Sequence, residues 1–173
     1  MANTYELIAS NTVASGGAAS VTFSSIANTW TDLVVKFSAR TNNGTAGVWD
    51  NISATINSSS SGYSFLMAYT ADSTTPTSAK TTGSNFGYLY APRSAATANT
   101  FGSGEFYIPN YAGSNYKSIS TDLVVENNGT ANFMDLWAGL WSNTAAITSI
   151  SIDAGGNNFV QYSSFYLYGI KNS

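Results

Sequence analysis

The sequence predicts an all-β protein: one antiparallel β-sandwich, jelly-roll-like, of about 8–11 strands spanning residues 1–173. Three observations predict it. Short runs rich in Val, Ile, Thr, Tyr, Phe and Trp are bounded by Gly, Asn and Ser. Two stretches alternate apolar and polar with a period of two, as a strand with one buried face requires. No stretch gives three turns of helical periodicity with capping residues.

Taken in order, strands are expected at 3–9, 20–26, 31–40, 48–57, 62–70, 84–90, 104–108, 116–126, 132–141, 147–153 and 163–170. The second of the alternating runs, 116–126, turns Ile119, Leu123 and Val125 inward and Asp122 and Glu126 outward. The first, 31–40, turns Leu33, Val35, Phe37 and Ala39 one way and Asp32, Val34, Lys36, Ser38 and Arg40 the other. Gly16-Gly17, Asn43-Gly44, Asn128-Gly129 and Gly155-Gly156 supply turn chemistry, because these residues tolerate positive φ. The segment 74–82 (TTPTSAKTT) reads as a polar, solvent-exposed loop. TDLVV occurs at 31–35 and 121–125, and NNGTA at 42–46 and 127–131. Two duplicated hairpins would explain the echo, but a chain so rich in Asn, Thr and Gly also repeats such strings by chance, and the unequal spacers favour chance.

Two late strands are apolar on both faces. Residues 133–141 set Phe133, Trp137 and Trp141 against Met134, Leu136 and Leu140. Residues 165–170 set Phe165 and Leu167 against Tyr166, Tyr168 and Ile170. A strand buried on both faces needs a second partner. Tyr and Trp are enriched at interfaces, so Trp137, Trp141, Tyr166 and Tyr168 are the expected residues of an oligomer interface or docking surface.

Composition excludes much chemistry. The chain has no His and no Cys, so no imidazole base, thiolate, disulfide or zinc or iron–sulfur site of the usual kind is available. Charged residues are only 9% of the chain, against about 25% in an ordinary domain. Ser, Thr and Asn supply 26, 20 and 18 residues, so solubility rests on hydroxyls and amides. Six dispersed cations in a chain of net charge −3 do not suit a run of phosphates, so no nucleic-acid partner is expected. The N-terminal segment MANTYELIAS has neither a basic region nor an apolar run, so no signal peptide or membrane span is expected.

No local motif pairs two carboxylates as a glycosidase needs, and the expectation is a non-enzyme without cofactor or metal. Asp153-Ala-Gly-Gly lacks the spacing of a calcium loop and reads as a turn. The four sequons, at Asn43, Asn51, Asn57 and Asn128, follow from composition alone. Trp30 and Trp49 lie near Asn- and Thr-rich loops, where a ring and nearby amides can form a glycan platform. Capping of the core is the commoner use of such residues.

Several segments together resemble a known group. These are YELIAS (5–10) with the following Gly-Gly turn, VTFSSI (21–26), TDL (31–33), IPNYAGSNYKS (108–118), GLWSNTAAITSISI (139–152) and NFVQYSSFYLYGIK (158–171). In this order they resemble small β-rich virion proteins of tailed bacteriophages: capsid decoration (cement) proteins, head fibres or knobs, and tail-fibre modules. The likeness spans nearly the whole chain, is best in the C-terminal half and is poor over 57–100. It implies a non-enzymatic structural protein with a jelly-roll-like sandwich, made in the host cytoplasm and carried on the virion. It brings no catalytic or ligand residues. The absence of a coiled coil or stalk favours a capsid-surface decoration protein, expected as a homotrimer bound to the major capsid protein or other virion proteins. The alternative is a tail-fibre or lectin-like module that binds host glycans.

Overall fold

The computed structural model describes residues 4–71, 75–125 and 133–171. Within them lie twelve strands and no helix: β1 (Tyr5–Thr12), β2 (Ser20–Phe23), β3 (Asp32–Ala39), β4 (Trp49–Ile56), β5 (Tyr63–Ala71), β6 (Thr77–Gly83), β7 (Phe86–Pro92), β8 (Gly102–Ile108), β9 (Lys117–Val125), β10 (Phe133–Trp141), β11 (Ile150–Asp153) and β12 (Ser164–Ile170). They form two antiparallel sheets packed face to face. One has eight strands in the order β1-β12-β3-β8-β9-β10-β5-β6, the other four in the order β2-β11-β4-β7.

The order identifies a jelly roll. Hydrogen-bonded pairs are nested along the chain: β1 with β12, β2 with β11, β3 with β8 and β4 with β7. Successive pairs alternate between the sheets, as when a folded ribbon is wrapped around a barrel. Two additions interrupt the wrap. Strands β5 and β6 lie in sequence between β4 and β7, and β9 and β10 lie between β8 and β11. All four join beyond β8 and double the width of that sheet.

The wrap explains why the expected turns are not hairpins. Asn43-Gly44 lies on the link from β3 to β4, which crosses from one sheet to the other. Gly155-Gly156 likewise links β11 to β12 across the sandwich, with φ of 67° and 86° that favour glycine. The duplicated-hairpin reading therefore fails for the first copy. Glu126, the Asn128-Gly129 turn and the second NNGTA lie outside the described residues.

The expected loop at 74–82 is also corrected. Residues 77–83 form β6, an edge strand paired with β5 from Tyr69↔Thr77 to Tyr63↔Gly83. Its Thr, Ser, Ala and Lys side chains carry no apolar alternation because little packs on them, and nearly all are exposed.

The core lies between the sheets. Inward residues of β3 (Leu33, Val35, Phe37) meet Ile52 and Ile56 of β4, Ile150 and Ile152 of β11 and Phe165 and Leu167 of β12 in one buried cluster. Aromatic rings extend it into the added strands, where Trp137 lies 5.2 Å from Phe86, 5.4 Å from Phe65 and 6.5 Å from Phe106. Burying such side chains stabilises by roughly 1.5–3 kcal/mol each.

The scarce charges hold loops. Arg40 is buried, and its guanidinium donates to the carbonyls of Ser94, Ala96, Thr97 and Thr100 at 2.8–3.3 Å. Buried Lys117 donates to Gly113 O at 2.7 Å. Asp50 accepts from Thr41, Asn43 and Asn157 at 2.7, 2.9 and 3.2 Å. Asp32, expected on a solvated face, is buried and accepts from the Tyr107 hydroxyl and the Asn110 N–H. A carboxylate leaving water needs such donors.

Candidate functional site

Strand alternation commits one face of each outer strand to the core and leaves the other free. On β10 the choice is strict: Phe133, Asp135, Trp137, Gly139 and Trp141 are buried, and the residues between them are exposed. Trp137 and Trp141, expected at an interface, are 4% and 1% exposed. They are core residues of this chain and present no surface to a partner. The opposite face carries the candidate site instead: Met134, Leu136 and Leu140 are 48%, 51% and 36% exposed.

Register extends that face across the sheet. Leu136 stands beside Ala68 of β5 and Asp122 of β9, and Ala138 beside Leu66 and Ser120. Met134 stands beside Val124. With exposed Leu66 and Val124, these residues make a contiguous apolar area on the outer face of β5, β10 and β9. A shallow hollow of about 460 Å³ runs between Leu66, Ala68, Leu136 and Ala138. Soluble monomers expose isolated apolar side chains freely, but a contiguous patch marks a contact surface.

The same face changes character toward β12. One transverse row reads Tyr166, Lys36, Glu105, Asp122, Leu136, Ala68 and Ser78, strand by strand. Tyr166 and Tyr168, the other two expected interface residues, are half-buried on this outer face. Their rings stack at 6.4 Å, and Tyr5 adds a third ring 4.8 Å from Tyr168. Lys36 pairs with Glu105 at 2.6 Å. Its ammonium is held above the ordinary lysine range, first by the hydrogen bond to Glu105. Glu105 and Asp122 oppose each other across β8 and β9. They border an open basin of about 480 Å³, not a cleft that excludes water from a reaction.

The expected glycan platform is not assembled. The Trp30 indole lies flat on Gly169, where any Cβ would come within 2.3 Å of the ring, and its Nε1 donates to Glu6 at 3.4 Å. Trp49 packs on Phe133 at 5.5 Å. Gly169 is on β12 and Phe133 on β10, four strand spacings apart, or roughly 19 Å. One sugar cannot touch both indoles.

Asp135 was not foreseen. It is fully buried on the inner face of β10, its carboxylate oxygens make no well-formed hydrogen bond, and only the backbone N–H of Leu136 lies near enough to oppose the effect of burial. Burial pushes its pKa up to about 7. Only its position on an otherwise apolar strand face could have signalled it.

Asp153 accepts from Gly155 N at 2.8 Å, as a turn does. Among the described residues no group of three or more acids could hold a metal ion, and no helix is long and apolar enough to cross a membrane. No protein-family model matches the chain, and no curated protein matches it.

Proposed function

We propose that the protein is a non-enzymatic virion structural protein that docks on the surface of an assembled phage head as a decoration or knob protein. The observation that carries this reading is the exposed apolar area of Leu66, Val124, Met134, Leu136 and Leu140. It lies on a broad, hydrogen-bonded sheet, so its shape is fixed before contact and little ordering entropy is lost on docking. In a chain with so few charges, shape and apolar burial have to supply the affinity. Arg40, Lys117, Asp32 and Asp50 hold loops in place, which gives four of the scarce charges a use without catalysis. The resemblance to phage decoration proteins supplies the partner class, the capsid lattice, and the trimeric form.

Binding only to assembled heads would stabilise them by mass action. Mass spectrometry of heads and tails separated from purified virions tests the reading. The protein is expected with the heads. Recovery with tails alone would overturn the head assignment, and absence from both would overturn the structural role.

A further inference from the structure

A second site lies at the mouth of the sandwich. The eight-stranded sheet is wider than the four-stranded one, and β6 and β7 are edge strands of the two sheets. Between the inner faces of β5 and β6 and the edge of β7 a slot of about 270 Å³ opens. Its lining is Met67, Tyr69, Ala79, Lys80, Thr81, Tyr88 and Tyr90.

Three features separate this slot from a mere packing defect. First, its tyrosines are braced from behind: Tyr69 and Tyr90 pack on Phe133 at 5.8 and 4.1 Å, and Tyr88 on Phe65 at 5.9 Å. Second, Tyr88 has φ of 64°, a left-handed conformation costly for an aromatic residue, and its N–H is tied to Asn51 Oδ1 at 2.8 Å. Backbone strain of this kind, roughly 1–3 kcal/mol, persists where surrounding structure enforces it and clusters at ligand sites. It leaves the Tyr88 side chain 42% exposed. Third, none of the three phenol hydroxyls has a hydrogen-bond partner among the described residues. The Tyr90 hydroxyl is held above the ordinary tyrosine range by burial first, then by Asp135, Tyr88 and Tyr69, so these groups are close enough to influence one another.

We infer that this slot binds a neutral saccharide, with a pyranose ring against Tyr88 and its hydroxyls bonded to the phenols of Tyr69 and Tyr90. Aromatic walls match the C–H faces of a sugar, and phenols both donate to and accept from its hydroxyl rim. Other flat ligands fit less well. A nucleotide would need cations for its phosphates, and the one cation at the slot's rim, Lys80, stands opposite Leu66 on the outer face of the sheet. The site is distinct from the apolar docking area, which lies on the opposite face of β5.

Titration of the ¹⁵N-labelled protein with maltose, cellobiose, lactose and N,N′-diacetylchitobiose tests the inference. At least one sugar should give saturable shifts at Tyr69, Tyr88 and Tyr90, with a Kd in about the millimolar range. Tyr88→Gly removes the ring while permitting the backbone conformation, so it should keep a folded spectrum and weaken binding about tenfold or more. Tyr90→Phe keeps the packing and should also weaken it. No saturable shift from any of the four at about 50 mM, or equal affinity in folded Tyr88→Gly, overturns the inference. Head association should be unchanged in Tyr88→Gly, so this outcome is separable from failure of the docking reading.

Discussion

The two faces of β10 are nearly matched in hydrophobicity and opposite in fate. Phe133, Trp137 and Trp141 are buried against the aromatic core, while Met134, Leu136 and Leu140 face outward and are exposed, with no layer over them among the described residues. The difference lies in neighbours, not in residue type. The inner face meets β7 and the core rings, but the described residues provide no third layer for the outer one. Apolarity on both faces of β10 thus goes with one face packed within the chain and the other left exposed among the described residues.

The comparison breaks most easily on the inner face. Trp137→Ala should destabilise by about 3–5 kcal/mol in urea titration, since a large ring would leave a void among Phe65, Phe86 and Phe106. A loss below about 1 kcal/mol would mean that the inner face is not the packed one.

Asp135 gives the next largest effect, and it depends on pH. Its folded pKa of about 7 lies above the ordinary 3.8. Between those values the native state keeps a proton that the unfolded chain has lost. Stability is therefore greatest at low pH with respect to this group, falls as pH rises from about 4 to about 7, and levels above. The total is on the order of 4 kcal/mol. Asp135→Asn should flatten that slope and be the more stable protein at pH 8, by about 1–3 kcal/mol, in denaturant titrations across pH. A wild type whose stability rises over this interval would contradict the burial of this carboxyl.

Smaller effects sharpen the outer face. Leu136→Ser and Leu66→Ser should change stability by less than about 0.5 kcal/mol, because exposed positions contribute little to folding. Lys36→Ala removes a solvent-exposed ion pair with Glu105 and should cost about 0–1 kcal/mol, diminishing with salt. Thermal unfolding at two ionic strengths measures both.

Much of the fold was legible because β-structure writes itself with a period of two. The runs at 31–40 and 116–126 became β3 and β9, and Ile119, Leu123 and Val125 are inward as expected. β6 was not legible, since an edge strand with little packed on it has no apolar alternation to display. The side of β10 that is buried could not be read from a strand apolar on both. The burial of Arg40, set by alternation on the polar side of 31–40, was not legible because its partners at Ser94–Thr100 are remote in sequence. The tyrosine slot was hidden for the same reason: Tyr69 and Tyr88 come from strands that meet only when the added pair folds over the jelly roll. Tyr166 and Tyr168 are on the outer face, whereas Trp137 and Trp141 are not; large aromatics fill cores as readily as interfaces.

The most direct test of the central claim is binding of the Leu66→Ser, Leu136→Ser double variant to purified heads stripped of the native protein, measured by co-sedimentation. The variant is expected to unfold at the wild-type temperature yet fail to bind heads that the wild type saturates. Full occupancy by the folded variant would contradict the claim that the outer face of β5, β9 and β10 is the docking surface.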